Sequence, residues 1–145
     1  MSEANVEIVR GLVFAPDVDI APLFRDEETW TALVGALASV IHRDFHCTAT
    51  LLGSETSYGV GVEAIRAFYL DWMAPWMTYR VEIEETMDLG DRVLVLASDF
   101  GRRQGTTEEV KGSNASVWTF RKGTVVRFDA FADRADALKA VGLAE

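Results

Sequence analysis

LGDRVLVLASDFGRR (89–103), VKGSNASVWTFRKGTVVRFDAFADR (110–134) and ADALKAVG (135–142) decide the fold of this chain. The first two stretches are rich in β-branched and aromatic residues, and short turn signals such as Lys122-Gly123 divide them into strands. The third begins after Asp133, a helix N-cap, and ends on Gly142, where a C-terminal glycine stop is expected. The sequence before Asp88 reads as mostly helical. Helices first and a run of long strands afterwards predict an α+β fold, with the helices on one face of an antiparallel sheet. A sheet of this kind, once curled, encloses a pocket lined by alternate strand residues.

The chain has 145 residues and reads as one domain over 1–145, large enough to build a core without staples. A hydrophobic content of 49% and an aromatic content of 10% exclude disorder as the main state. The net charge of −9 argues against nucleic acid and against anionic membrane surfaces as partners. The single cysteine, Cys47, excludes an internal disulfide. The opening MSEANVEIVR lacks the basic start and apolar core of a signal peptide. The longest apolar-leaning run, 31–41, is well short of the ~20 residues that span a bilayer. The expectation is a cytoplasmic protein.

Helical spacing predicts a first helix over 2–14, through Val6, Val9 and Val13, broken by Ala15-Pro16-Asp17. Asp26 is placed to cap a second helix whose apolar face carries Trp30, Leu33, Val34, Leu37 and Ile41. Residues 42–50 read as a short strand and 53–61 as loop. Residues 62–73 return to helical spacing through Ile65, Phe68, Tyr69 and Trp72. From Tyr79 the period becomes two: Tyr79, Val81 and Ile83 alternate with Arg80, Glu82 and Glu84. Arg92–Phe100 forms the next strand, and 102–111 is expected to be a polar hairpin tip.

NVEIVR (5–10), GVGVEAIRAFYLDWM (59–73), GDRVLVL (90–96) and VWTFRKGTVVRFDAFADRADALKAVGL (117–143) resemble the SnoaL-like branch of the nuclear-transport-factor-two-like superfamily. The resemblance covers nearly the whole chain and is weakest over APDVDIAPLF (15–24). It implies a cone: a curved antiparallel sheet forming a barrel, N-terminal helices packed on its concave face, and a deep apolar cavity. Members include ketosteroid isomerase, limonene epoxide hydrolase and polyketide cyclases, so the resemblance implies a pocket without choosing a reaction. The isomerase's general base falls on Ala49 or Thr50, its carboxylic acid falls on Ser116, and its first-helix tyrosine has no counterpart. Of the epoxide hydrolase's relay, one aspartate falls on Asp99. The arginine falls on Ala97, the second aspartate on Ala130, and the tyrosine and asparagine on Cys47 and Ala49.

Asp99 is therefore the candidate catalytic acid or base. Pleat alternation puts it on one face with Val95, Ala97 and Gly101, and the resemblance makes that the cavity face. A hairpin centred within Gly105–Glu108 sets Asp99 opposite Asn114. A carboxylate alone in an apolar cavity is expected to have its pKa raised toward the range useful for proton transfer. A buried structural pair with Asn114 is the alternative. Asn114, Ser116 and Trp118 share the inward face, and Tyr69 and Trp72 complete the expected ligand-binding set, with Trp76 and Met77 as further candidate walls. His42, Asp44 and His46 have the composition of an iron site, but they fall at a helix-to-strand junction without a convergent cluster, so no metal and no cofactor are expected. Cys47 reads as an inert thiol. The outer face, carrying Arg80, Glu82, Glu84, Arg127 and Asp129, is read as a charged surface or, by the resemblance, part of a homodimer interface. Two functions are consistent with this pattern: a cofactor-independent isomerase, cyclase or hydrolase using Asp99, and a non-catalytic small-molecule carrier. A cavity filled by bulky side chains is a third possibility.

Overall fold

The structure, a computed structural model, describes residues 2–50 and 56–143. Three helices, α1 (Ser2–Leu12), α2 (Ala21–Arg25) and α3 (Glu27–Leu37), precede β1 (Ile41–Thr50) and β2 (Thr56–Val60). After α4 (Val62–Trp72) the chain runs through β3 (Thr78–Asp88), β4 (Arg92–Arg102), β5 (Glu109–Arg121) and β6 (Thr124–Phe131), and closes with α5 (Arg134–Ala140). The strands form one curved sheet in the order β2-β1-β6-β5-β4-β3. The α+β class and the curved sheet are as the sequence predicts. The sheet stays open, and one of its interfaces, β1 with β6, is parallel while the others are antiparallel.

Local chemistry accounts for most boundaries. Asp26 accepts a hydrogen bond from the Thr29 amide and starts α3, and Asp133 does the same for α5 through the Ala135 amide. Lys122 (φ 53°) and Gly123 (φ 78°) are both left-handed, the conformation a two-residue hairpin with the native strand twist requires. The first helix ends at Leu12 rather than Phe14, because Pro16 disfavours helix in the residue before it.

Ile41, expected on the apolar face of the helix after Asp26, instead opens β1, because α3 ends at Leu37, and two further segments depart from the sequence reading. With Pro16 and Pro22 near its ends, 15–24 reads from sequence as an irregular, stiff connection, but Pro22 sits in the first turn of α2, where its missing N–H costs nothing. Residues 56–60, expected as loop, form edge strand β2 on β1; 53–55 lie outside the described residues. The segment before α2 covers the opposite edge of the sheet. Ile20 N–H donates to the Tyr79 carbonyl (2.8 Å), and the Asp19 carboxylate accepts from the Tyr79 amide (2.9 Å) and the Ala21 amide (3.1 Å). One aspartate thus ties β3 to the start of α2 and leaves less of that edge open to pairing.

Strand β4 is buried on both faces. Val93, Val95 and Ala97 face the helices, with Val9, Phe120 and Val125 in the same cluster. Leu94 faces the other way and packs with Ala115, Val117 and Ala137 of α5. The outer face is therefore not simply a charged surface: α5 covers part of it. Arg134 fastens that helix, donating to Glu84 Oε1 (2.8 Å) and to the Ala97 carbonyl (2.7 Å), while the Ser98 hydroxyl donates to Glu84 Oε2. Further along, Arg127 pairs with Asp129, which also accepts from Thr48.

Candidate functional site

Between the concave face and the helices lies a cavity of about 190 Å³. Alternate residues of β4 and β5 (Val95, Ala97, Asn114, Ser116, Trp118) line one side, together with Phe128 and Ala130 of β6. The opposite wall comes from the apolar stripes of α3 and α4, with Leu33, Val34, Ile65, Phe68, Tyr69 and Trp72. Ile20 and Phe24 seal the β3 side. The volume exceeds that of the ~150 Å³ apolar cavity known to hold benzene, so a one- or two-ring molecule fits. A cavity filled by its own side chains is not what the sequence builds.

The five expected ligand-binding residues, Asn114, Ser116, Trp118, Tyr69 and Trp72, all line this cavity. Trp76 and Met77 do not: Trp76 lies against Gly101, where a Cβ would come within 2.5 Å of its ring, and Met77 is exposed. Asp99 is buried on the expected face but contributes nothing to the wall. Its partner also differs from the one expected. The register sets Asp99 opposite Gly112, and Asn114 opposite Ala97. The hairpin tip is 103–108, centred one residue earlier than expected, and each residue shift of a hairpin centre moves the pairing by two.

Asp99 is not alone. The Tyr79 hydroxyl donates to its Oδ2 (2.6 Å), and the Trp72 indole N–H donates to the Tyr79 oxygen (2.9 Å). Gly112 leaves room for the carboxylate, since a Cβ there would lie 2.6 Å from Oδ1. This Trp72–Tyr79–Asp99 chain fixes the direction of the Tyr79 proton, and sequence reasoning missed its centre, Tyr79. Burial, then the Asp99 charge, pushes the Tyr69 phenol up to about 12, and the same two causes in the same order raise Tyr79 as well. Both therefore stay protonated at neutral pH.

The other polar groups on the wall have unspent capacity. Ser116 Oγ accepts from the Trp118 indole (2.9 Å) and keeps its own proton to donate. Among the described residues, no protein group hydrogen-bonds the Asn114 amide or the Tyr69 hydroxyl. Of the positions that the resemblance aligns with acids, bases or an arginine, Ala49, Ala97 and Ala130 present methyl groups to the cavity, while Thr50 and Ser116 also line it with hydroxyl-bearing side chains.

Cys47 is buried beside Phe45 and Phe128 and does not reach the cavity. Burial, then Asp129, pushes its thiol up to about 11, so it is a poor nucleophile at neutral pH. His42, Asp44 and His46 are exposed, and His46 hydrogen-bonds Tyr58. Among the described residues no group of three or more His, Cys, Asp or Glu side chains could hold a metal ion. No helix among them is long and apolar enough to cross a membrane.

Comparison with solved structures places the fold. A SnoaL-like polyketide cyclase from Jannaschia sp., so described provisionally, superposes with a TM-score of 0.61 at 19% identity, over 99% of this chain and 95% of that one. TerC, crystallised with polyporic acid, gives 0.59 at 19% identity, over 95% and 98%. A protein with a ketosteroid isomerase-like fold from Catenulispora acidiphila, in complex with trimethylamine, gives 0.55 at 17% identity, over 90% and 95%. At these identities the likeness is one of fold. No curated protein matches the chain. The model of the SnoaL-like domain matches residues 27–128, which span α3 through most of β6 and so most of the cavity wall, and the chain belongs to that family.

Proposed function

We propose that this protein binds a small, largely apolar organic molecule in the cavity and orients it through Tyr69, Asn114 and Ser116. One observation carries the reading. Among the described residues the wall holds no charged side chain, and these three polar groups have hydrogen-bonding capacity that the described protein does not use. Apolar walls with a few placed polar groups are the usual composition of a ligand site. The relatives crystallised with polyporic acid and with trimethylamine give the fold a precedent for holding small molecules.

The experiment is a thermal-shift screen of one- and two-ring molecules on wild type and on Ala130→Leu, which places a larger side chain in the cavity. A ligand of the folded state raises the melting temperature with occupancy. Hits that vanish in Ala130→Leu support the reading, and hits that persist in it move binding elsewhere.

A second reading, catalysis, is favoured by the 2.6 Å Tyr79–Asp99 hydrogen bond. Tyr79 lines the cavity and Asp99 does not, so Asp99 acts as base through Tyr79. A proton leaving the ligand passes to the Tyr79 oxygen while the Tyr79 proton moves to Asp99; reversal at a second atom of the ligand completes an isomerisation. Asp99→Asn should then abolish turnover of a ligand that the cavity still binds. A ligand recovered chemically unaltered from wild type refutes this second reading and leaves the first. A homodimer through the outer face is also proposed, with exposed Tyr58 and Val60 of β2 at its margin; a monomer by analytical ultracentrifugation would refute it.

A further inference from the structure

Resting on the binding reading above, we infer that the cavity selects an organic cation, a tertiary or quaternary ammonium on an apolar body, over a neutral molecule of the same shape. Among the described residues, the wall carries no formal charge of either sign. The buried charge that adjoins it is the carboxylate of Asp99, one hydrogen bond behind Tyr79; the carboxylate of Glu63, exposed to solvent, accepts from the Trp30 indole. Between apolar, low-dielectric walls a fixed anion biases the space toward positive guests, because it is screened less there than in bulk water.

The nearby cations do not cancel that bias. The Arg25 guanidinium is held by the carbonyls of Met73 and Trp76, and that of Arg66 by the carbonyls of Phe24 and Arg25, and neither side chain reaches the cavity. The field of Asp99 is felt inside the site, since it is one of the causes that keep Tyr69 and Tyr79 protonated.

The wall chemistry suits an ammonium whose substituents are carbon. Tyr69, Trp72 and Tyr79 surround the Asp99 end, and indole and phenol rings attract such a cation through their quadrupole. A primary ammonium would need three acceptors, which an apolar wall does not supply. Alkylated nitrogen has fewer protons to satisfy and loses less on leaving water. An anionic ligand meets the opposite conditions: no positive partner on the wall and Asp99 behind it.

The test compares phenyltrimethylammonium with tert-butylbenzene, its neutral isostere, titrated separately into the full chain. Intrinsic fluorescence reports binding, since Trp30, Trp72 and Trp118 line the cavity. The cation should bind about tenfold more tightly than the isostere. Asp99→Asn should lower the cation's affinity toward that of tert-butylbenzene and leave the isostere's affinity nearly unchanged. Tyr79→Phe retains the carboxylate and should retain the preference, so it serves where Asp99→Asn fails to fold. Equal or tighter binding of tert-butylbenzene overturns the inference while leaving the cavity a ligand site. Failure of both probes to bind overturns the binding reading as well.

Discussion

Replacing Tyr79 by Phe removes one oxygen and leaves the ring, and it tests the centre of the buried polar chain. In wild type that hydroxyl donates to Asp99 and accepts from Trp72. A hydrogen bond to a charged group contributes about 1.5–3 kcal/mol, and the neutral Trp72 bond about 0.5–1.5 kcal/mol. The indole N–H borders the cavity, so water offsets part of the second loss. The expected destabilisation is therefore about 2–4 kcal/mol. For 145 residues the unfolding entropy is about 0.3 kcal/mol per kelvin, which converts this to a fall in Tm of about 7–13 °C. The control is Tyr69→Phe. That hydroxyl has no protein partner among the described residues, so its loss should stay within about 1 kcal/mol of wild type. Urea and thermal unfolding followed by circular dichroism measure both. Equal costs for the two variants would refute the claim that Tyr79, and not the burial of phenols in general, holds this site together.

Gly101→Ala should destabilise by about 1–3 kcal/mol by overpacking, because the new Cβ meets the Trp76 ring at 2.5–2.6 Å; an unchanged urea midpoint would show that Trp76 moves freely. Gly35→Ala, exposed in the last turn of α3 with nothing within 4 Å of the added Cβ, should stabilise by about 0.5–1 kcal/mol in the same assay. Tyr69 and Tyr79 favour their protonated forms in the fold, so their contribution is complete below the ordinary tyrosine value of 10.0 and is lost as pH rises above it, for Tyr69 up to about 12. Phenolate absorbance from both should appear together with alkaline unfolding, and its appearance in the intact fold would contradict the geometry. Glu84 is held below its ordinary 4.5 by the Ser98 hydroxyl and then Arg134, so the tie to α5 is present above that value and weakens as pH falls through the lower folded one. Glu84→Gln should mimic acid by raising amide exchange in α5, and unchanged protection there would show that its apolar contacts suffice.

What could be read from sequence followed the strength of each local signal. Asp26 and Asp133 marked helix starts because a short side-chain acceptor before an apolar-periodic run has one low-energy use. Tyr79–Ile83 declared its two faces because one is buried and the other wet. Strand β2 sent no such signal: it lies at the edge, with Tyr58 and Val60 on opposite sides of Gly59 and both exposed, and only pairing with β1 makes it a strand. Pro22 misled for a related reason. A proline breaks a helix interior and suits a helix start, and the Asp19 interaction that favours the start comes partly from β3, 60 residues away in the chain.

The candidate site shows the same boundary more sharply. Pleat alternation has period two, so moving the β4–β5 register by two residues leaves every side chain on its face. Asp99 therefore faces inward whether it lies opposite Asn114 or Gly112, and the choice of face carries no information about its partner. The partner decides the chemistry. Opposite Asn114, the carboxylate would have stood in the wall beside an amide. Opposite Gly112 it gains space on the β5 side, because no Cβ fits there, and meets Tyr79, which comes from β3 on the other side of β4. The Tyr79 ring then fills the wall position that Asp99 vacates. On the proposed binding reading, a ligand at this end of the cavity would meet a phenol oriented by a hidden carboxylate, and Asp99 would act on it through its charge and the Tyr79 proton, not by direct contact.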